Sequence, residues 1–231
     1  MAIEFRDLRT AEDLAPLPEF EKFIWGGDSE MVSVNVLVAT IEEGGMALAA
    51  YDGSSLVGVA YGFATREPTV LHSHYLAVHP SYRGRGLGEQ LKREQAAWCR
   101  AHGYTAMRWT FDPLQLPNAH LNLNKLGAVG VAYKVNLYGS LGGINGSLPS
   151  DRLVVRWDLA GERIDSCDVV AVDIPPVTAD EIAVSSPSAH AARSALRDSL
   201  SERLADGWAV IGIDRPARQY VLGRMSPVAT S

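Results

Sequence analysis

With 231 residues, the chain can bury about 70% of the surface that its unfolded form exposes, so it needs no disulfides or structural metal to fold. Its 47% apolar and 21% charged residues exclude a largely disordered, fibrous or coiled-coil protein. The net charge of −6 argues against nucleic acid or an anionic lipid surface as the binding partner.

Hydrophobic periodicity predicts strands and helices along most of the chain. Alternation of apolar and polar residues indicates a half-buried strand, and apolar residues at every third or fourth position indicate a helix. The run Val32–Ile41 is apolar, but its pattern does not settle its type. The other elements predicted before residue 160 are, in order, the edge strand Ile3–Leu8, an irregular helix Thr10–Trp25 that contains two prolines, a hairpin of strands Met46–Tyr51 and Leu56–Ala64, the strand Thr69–Val78, the helix Leu87–His102, the strand Ala106–Phe111, the helix Asn118–Leu126, and the strands Gly130–Leu137 and Arg152–Leu159.

The pattern restarts after residue 160. Here it predicts a strand Val169–Ile174, a helix from about Ser188 to Asp206, and strands Trp208–Ile213 and Gln219–Arg224. We therefore predict a first domain over residues 1–160 and a C-terminal β-α-β-β extension over residues 161–231. The extension is too short for a large core of its own, so we expect it to dock on the first domain.

A glycine-rich segment between a predicted strand and a predicted helix is the most specific feature of the sequence. It reads Arg83-Gly84-Arg85-Gly86-Leu87-Gly88. Its glycines let backbone N–H groups converge on an anion, and the helix adds the partial positive charge of its N-terminus. The spacing is neither the G-x-G-x-x-G of dinucleotide-binding folds nor a loop with Gly-Lys-Ser/Thr. The segment therefore predicts a phosphate-binding loop.

This segment resembles the R/Q-x-x-G-x-G/A motif of the GNAT N-acyltransferase superfamily, and the order of elements from Ile3 to Leu159 is similar to that fold. The resemblance implies an α/β (α+β) fold with a mixed, mostly antiparallel central sheet, a splayed strand pair and flanking helices. It implies an enzyme that uses acyl-CoA, either acetyl-CoA or succinyl-CoA, as co-substrate and needs no metal. The cofactor would be held at the backbone of Val78, which would pair with the pantetheine arm, and by the pyrophosphate-binding residues Arg83, Gly84, Arg85, Gly86, Leu87 and Gly88.

A narrower resemblance rests on several further segments. They are similar to GNAT proteins that are associated with N-acylamino acid racemases and are thought to succinylate free amino acids. This resemblance implies that the acceptor is a small-molecule amine, namely a free amino acid. The segments are His72-Ser73-His74, Trp109–Pro113, Asn118–Gly127, Tyr138-Gly139 and Leu148–Arg152.

An amine acceptor is largely protonated at neutral pH and must lose a proton before it can attack a thioester. His72 and His74 lie two apart on a predicted strand, hence on one face, and that strand leads into the phosphate loop. His72 also stands where the superfamily pattern has a general-base glutamate. Asp112, at the end of the next strand, is the candidate for orienting a histidine or binding the ammonium. A packed histidine pair and a turn-forming aspartate explain the same residues about equally well.

The resemblance also assigns residues around the ligands. Asn118 would bond the pantetheine amides, and Asn122 is expected on the same helix face at i, i+4 spacing. An N-cap followed by a solvated asparagine explains the two residues nearly as well. Many GNAT enzymes have a tyrosine acid at the position of Leu123, so the general acid is not identified. Trp25 and the Gly-rich loop 139–150 fall where the superfamily builds its acceptor pocket.

A carboxylate on the acyl group or on the acceptor would require an arginine, whose planar fork binds both oxygens. Arg108 and Arg152 are the candidates for this role. Strand register decides which of them faces the cleft, and the sequence does not determine that register.

Cys99 and Cys167 are too few for a disulfide framework or a four-cysteine zinc site, as expected in a reducing compartment. The N-terminal residues lack the apolar core of a signal peptide, and no stretch approaches the roughly 18 apolar residues of a membrane span. We therefore expect a cytoplasmic protein with no membrane partner.

These observations together predict direct attack of a bound amine on the thioester, with no covalent enzyme intermediate. Two alternatives stay open. One is a non-catalytic acyl-CoA-binding module that mediates a protein contact, and the other is an N-acetyltransferase that acts on a protein or another amine. The C-terminal extension either completes the acceptor site or forms a homodimer contact, and the sequence does not choose between these roles.

Overall fold

The computed structural model describes residues 3–26, 31–139, 147–161 and 168–224. The chain forms two compact units, Met1–Trp109 with Asp158–Ala160, and Thr110–Trp157 with Gly161–Ser231. This division does not fall at residue 160, because much of the chain between residues 110 and 157 packs with the C-terminal residues. The boundary between a catalytic domain and an extension stays a prediction.

The first unit is built on a sheet with the strand order β1-β2-β3-β4-β5. Its pairs are antiparallel except for β4 and β5, which run parallel. The predicted edge strand and hairpin are confirmed, and the last two residues of β5 belong to the second unit. The strands are β1 (Glu4–Leu8), β2 (Met46–Asp52), β3 (Ser55–Ala64), β4 (Val70–Val78) and β5 (Ala106–Phe111).

The helices of the first unit are α1 (Ala11–Leu14), α2 (Leu17–Trp25), α3 (Val34–Glu42) and α4 (Leu87–Ala101). Thr10 caps α1, and the predicted irregular helix breaks near Pro16, because proline cannot donate the hydrogen bond that a continuous helix needs. The apolar run Val32–Ile41, whose secondary structure the sequence pattern did not settle, lies largely in α3. Thr40 of α3 bonds the Tyr61 hydroxyl of β3.

The two faces of this sheet carry different helices. On one face, Gly58 and Gly62 of β3 lie directly under α4, where an added Cβ would come within 2.7 Å of Leu91 and 3.3 Å of Gln95. Val59, between the two glycines, points to the other face and packs in a core that α1, α2 and α3 share. Each glycine therefore allows α4 to approach the sheet closely.

Strand β4 is irregular in two ways. Tyr75 lies opposite Tyr61, and Ser73 lies opposite Gly62, so His74 is an extra residue in a β-bulge. The parallel pairing with β5 spans Val70–His72, while β4 continues to Val78. This short pairing agrees with the strand splay that the resemblance implies.

The second unit contains antiparallel strands in the order β7-β6-β9-β10-β8. The predicted C-terminal strand-helix-strand-strand order is present, with one additional short helix, α6. The mixed α/β, mostly antiparallel fold predicted from the sequence is confirmed. The elements are α5 (Leu116–Ala119), a π-helical turn (His120–Lys125), β6 (Val129–Lys134), β7 (Arg152–Asp158), β8 (Val169–Asp173), α6 (Ala179–Ala183), α7 (Pro187–Ala205), β9 (Trp208–Asp214) and β10 (Gln219–Arg224).

Candidate active site

The predicted phosphate loop connects β4 to α4. Gly84 has φ +72° and Gly86 has φ +85°, in the left-handed region that only glycine adopts without strain. A Cβ added at either position would meet no described atom within 4 Å. These glycines are therefore required by the backbone conformation, and the space beside them is open.

The N-terminus of α4 faces this loop without a side-chain cap. Gly86 is the N-cap residue, so the amides of the first helical turn have no intrahelical acceptor and are available to an anion. Arg83 and Arg85 are both exposed beside the loop. Amides without an acceptor, a helix dipole and guanidinium groups are all able to hold a pyrophosphate, and its binding at this loop stays a prediction.

The end of β4 offers backbone groups on the side away from β3. The His79 amide donates to the Val57 carbonyl of β3, so the backbone groups of the preceding residue, Val78, point in the opposite direction. The Val78 carbonyl accepts a hydrogen bond from Arg83 Nε at 3.2 Å. Pairing of Val78 with a pantetheine arm stays a prediction, and this orientation is the one that it requires.

His72 and His74 lie side by side, with ring centroids 6.1 Å apart. Burial lowers the pKa of His72 to about 4, and the neighbouring His74, Arg108 and Lys92 add to this effect. His74 is more exposed, and desolvation lowers its pKa as well. Both imidazoles are therefore neutral at pH 7, which is the form that can accept a proton.

Glu21 of α2 is a buried carboxylate near β4 that the sequence analysis missed. It is 3% exposed, its Oε2 accepts from the Val32 amide at 3.3 Å, and its Oε1 has no hydrogen bond to any described residue. Burial raises the pKa of Glu21, and the nearby Tyr75 hydroxyl partly offsets this. The signal in the sequence was a charged residue on the apolar stripe formed by Leu17, Phe20 and Ile24.

The predicted acceptor residue Trp25 lies against the same tyrosine. Its ring is 5.4 Å from that of Tyr75, in an edge-on arrangement. The rings of Tyr61, Phe63 and His74 continue the contact. We call Trp25, Tyr61, Phe63, His74 and Tyr75 the aromatic cluster.

Lys92 lies on the α4 face of the sheet and was also missed. Its Nζ donates to Ser73 Oγ at 2.6 Å and lies 3.9 Å from the centre of the Trp109 ring. Burial lowers the pKa of Lys92 to about 7. The Ser73 hydroxyl in turn donates a hydrogen bond to Gln95 Oε1 at 2.8 Å.

In the second unit, Asp112 forms a bidentate ion pair with Arg193 of α7, at 2.5 and 2.8 Å. It also accepts a hydrogen bond from the Leu114 amide. The Arg193 side chain is 3% exposed and that of Asp112 is 11% exposed. This pair accounts for the charge of Asp112, and its predicted catalytic role stays a prediction.

Arg152 is a buried arginine without a carboxylate partner in the described part of the chain. It is 9% exposed, and its hydrogen bond runs from Nη1 to the Asp151 carbonyl at 2.9 Å. The carboxylate of Asp151 is bound instead by Arg197 and Tyr133. Arg108, the other predicted carboxylate-binding residue, lies in the first unit and pairs with Glu67 at 3.0 Å.

Asn118 and Asn122 differ in burial, and their position on one helix face stays a prediction. Asn118 is exposed at the end of α5, whereas Asn122 is 5% exposed in the π-helical turn. The predicted helix changes here to i→i+5 bonding, seen from the Leu126 amide to the Leu121 carbonyl. Leu123, in the same turn, is buried at 2% exposure.

Cys167 and residues 140–146 of the Gly-rich loop lie outside the described residues. Cys99 is buried, and burial raises the pKa of its thiol to about 12. Among the described residues, no cluster of three or more His, Cys, Asp or Glu side chains could hold a metal ion. The described helices include none that is long and apolar enough to cross a membrane.

Comparison with known folds agrees with this geometry. The yncA protein of Salmonella typhimurium, solved with its cofactor acetyl-CoA, has a TM-score of 0.56 at 17% identity, over 73% of this chain and 100% of its own. An N-acetyltransferase from Staphylococcus aureus Mu50 has a TM-score of 0.55 at 17% identity, over 69% of this chain and 99% of its own. The ribosomal-protein-S18-alanine N-acetyltransferase of Escherichia coli has a TM-score of 0.54 at 14% identity, over 72% of this chain and 98% of its own. No curated protein matches the chain in sequence.

The predicted superfamily and its fold are confirmed by these likenesses and by a family model. Residues 8–127 match the model of the acetyltransferase (GNAT) family, and this range contains the glycine loop, all of β4 and the helix that follows. Because the matched range is more than half of the 231 residues, the chain belongs to the acetyltransferase (GNAT) family.

Proposed function

We propose that the protein transfers an acetyl or succinyl group from coenzyme A to the amine of a free amino acid. The reaction is direct attack of the amine on the thioester carbon, without an acyl-enzyme. The phosphate loop carries this proposal, because its two left-handed glycines and the uncapped start of α4 form an anion site next to the free backbone of β4.

Cofactor binding positions the thioester. The pyrophosphate of coenzyme A is held by the amides of the loop and by Arg83 and Arg85, while the pantetheine arm pairs with the backbone of Val78. A substrate fixed in this way reacts as if at very high local concentration. Backbone N–H groups at the splay beside β4 stabilise the oxyanion that forms on the thioester carbonyl.

The acceptor amine must be neutral when it attacks. His72 and His74 are neutral at pH 7 because burial lowers the pKa of each, with His74 adding to the effect at His72, so either can take a proton or pass one to water. The low pKa of His72 also makes it a weak base. For this reason a direct role of His72 depends on water or on a second group that receives the proton.

Arg152 supports a substrate with a carboxylate. Burial lowers the pKa of this guanidinium, and Asp112 and Asp151 lie close enough to offset part of that effect, but no described carboxylate forms an ion pair with it. A bound carboxylate would add a bidentate hydrogen-bonded pair. Both the α-carboxylate of an amino acid and the free carboxylate of a succinyl group fit this chemistry.

The test measures coenzyme A release with a thiol reagent. Acetyl-CoA and succinyl-CoA are each combined with L- and D-amino acids, with the carboxamide of each amino acid, and with a short peptide. A preference for the amino acid over its carboxamide assigns Arg152 to the acceptor, and a preference for succinyl-CoA assigns it to the donor. Arg152→Met should remove the preference, whereas Arg215→Met, an exposed arginine in the same unit, should keep it.

One observation favours a second candidate function. The buried Leu123 stands where many family members have an acidic tyrosine, which is compatible with a module that binds acyl-CoA without using it. Calorimetric binding of acetyl-CoA and succinyl-CoA with no coenzyme A release across the whole panel would support this module and overturn the proposed reaction.

A further inference from the structure

We propose that Glu21 is the residue that binds the ammonium group of the acceptor and removes its proton. This inference rests on the proposed function and names the acceptor-binding residue of that reaction. It concerns only side chains of the first unit: α2, the bulge in β4, and the adjoining end of β3.

The bulge brings the relevant side chains together. Because His74 is inserted between Ser73 and Tyr75, the ring of Tyr75 lies beside His74, with centroids 6.0 Å apart, and also beside Tyr61 at 5.4 Å. Trp25, one turn of α2 beyond Glu21, closes the aromatic cluster. Aromatic faces attract cations, so the surroundings of Glu21 favour an ammonium ligand.

Glu21 has binding capacity that its surroundings leave unused. Its Oε1 and the Tyr75 hydroxyl are both buried and lie close enough for the hydroxyl to lower the pKa of Glu21, yet neither atom makes a hydrogen bond of acceptable geometry to any described residue. The Tyr61 hydroxyl is already engaged by Thr40 at 2.6 Å. Buried polar atoms are normally hydrogen-bonded, and an ammonium group has three donors, enough to satisfy both free oxygens.

The negative charge of Glu21 also favours an ammonium ligand. A buried carboxylate usually pairs with a cation, and no described lysine, arginine or histidine forms an ion pair with Glu21. The titratable groups that face it are the phenols Tyr75 from β4 and Tyr61 from β3, with His74 beside Tyr75. None of these supplies a fixed positive charge.

The proposed reaction begins with proton transfer from the ammonium group to Glu21. The ammonium N–H proton passes to Glu21 Oε1, leaving a neutral amine with a lone pair. That lone pair forms the N–C bond with the thioester carbon, and the C–S bond breaks as the tetrahedral intermediate collapses. The second amine proton ends on the coenzyme A thiolate, and the proton on Glu21 returns to solvent. Because burial raises its pKa, Glu21 is a stronger base than an exposed carboxylate.

A purely structural role is the competing explanation, because Oε2 also accepts the Val32 amide ahead of α3. Glu21→Gln separates the two roles. The amide oxygen of glutamine can still accept from Val32, but the side chain can neither carry the charge nor take a proton. Glu21→Ala removes both functions, and Glu19→Gln on the exposed side of the same helix is the control.

The experiment uses the full chain, acetyl-CoA, and the amine of the panel that gives the fastest coenzyme A release. We expect Glu21→Gln and Glu21→Ala both to lower kcat/KM for the amine by about 100-fold or more, and to remove the acidic limb of its pH profile. The Kd for acetyl-CoA should stay at the wild-type value in both variants. Glu19→Gln should match wild type throughout.

Other results would overturn the inference. If Glu21→Gln keeps the wild-type kcat/KM, the role of Glu21 is the structural hydrogen bond with Val32. If the acidic limb of the pH profile persists in this variant, the histidines and not Glu21 accept the proton. If Glu21→Gln does not fold, Tyr75→Phe tests the inference instead. A raised KM for the amine with an unchanged Kd for acetyl-CoA would support the inference, and an unchanged KM for the amine would contradict it. Absence of release by the wild-type protein with every amine, despite acyl-CoA binding, removes the proposed function itself.

Discussion

Lys92 holds its ammonium group at a place with almost no water. The described residues around it provide a serine hydroxyl, a glutamine oxygen and an indole ring, but no carboxylate. Burial therefore lowers its pKa to about 7, against about 10.4 for a lysine in an unfolded chain. Between these values, the unfolded chain binds the additional proton, so the free energy of unfolding must rise with pH through this window.

Lys92→Met should remove that rise. Methionine fills a similar volume without a charge, and Ser73 keeps its hydrogen bond to Gln95. Urea unfolding at pH 6, 7.5 and 9 should show stability that increases with pH more steeply in wild type than in the variant. Lys22→Met, at an exposed position of α2, should follow wild type. Equal pH slopes in Lys92→Met and wild type would show that the lysine is charged in the folded state.

Gly86 makes the phosphate loop testable at one residue. Its φ of +85° penalises any side chain, but asparagine and aspartate tolerate this conformation better than most residues and have nearly the same shape. Gly86→Asn therefore measures the effect of a side chain, and Gly86→Asp adds a negative charge at the predicted pyrophosphate site. We expect calorimetry to show weaker acetyl-CoA binding in both variants, with the aspartate at least about tenfold weaker than the asparagine at low salt. Equal affinities in the two variants would place the pyrophosphate away from this loop.

The residues that sequence patterns missed share one property. Glu21, Lys92 and Arg193 all occupy the buried stripe of a helix, where periodicity expects an apolar side chain. The pattern reveals that such a residue is unusual, but its partner is set by tertiary packing. The glycine loop was predictable because its backbone requirement and its position before a helix are both local.

At the scale of elements, regular segments were predictable and single-residue insertions were not. The β2–β3 hairpin follows from turn residues between two apolar runs, and α4 follows from an apolar stripe that only Lys92 and Gln95 interrupt. The bulge at His74 depends on which residues of β3 lie opposite, and the π-helical turn depends on an extra residue per turn. Neither changes the local pattern, yet the bulge decides which side chains lie beside Tyr75.

Helix α7 is held to the segment after β5 by the Asp112–Arg193 pair, which gives a prediction at this scale. Arg193→Met should destabilise the protein by about 3 to 5 kcal/mol, because it leaves a carboxylate buried without a cation. Adding Asp112→Asn to this variant should restore part of the loss, since the buried carboxylate without an ion-pair partner is then removed and asparagine can still accept from the Leu114 amide. Chemical unfolding measures both changes, and Arg203→Met on the exposed face of α7 is the control. A double variant no more stable than Arg193→Met would mean that packing, and not charge, causes the loss.

At the scale of the whole molecule, the sequence predicts a domain boundary that the packing does not follow. Residue 160 separates a family-like segment from the rest in sequence, but residues 110–157 form one compact unit with the C-terminal part. Strand β6 pairs with β9 at Gly130 and Val210, and the Tyr220 hydroxyl donates to the Pro113 carbonyl. Contacts between positions so far apart in the chain leave no local trace, which is why the boundary was drawn at the change of pattern.

A chain that ends at Ala160 tests whether the C-terminal residues are an extension or a part of the fold. Without α7, the buried Asp112 loses Arg193 and the fully buried Asp151 loses Arg197, so two carboxylates are left without their cations. The core residues Leu196, Leu200 and Tyr220 are lost as well. We therefore expect the shortened chain to lack a cooperative thermal transition by circular dichroism, while the full chain melts cooperatively. A shortened chain that melts cooperatively and binds acetyl-CoA with the affinity of the full chain would instead establish residues 1–160 as an independent catalytic domain.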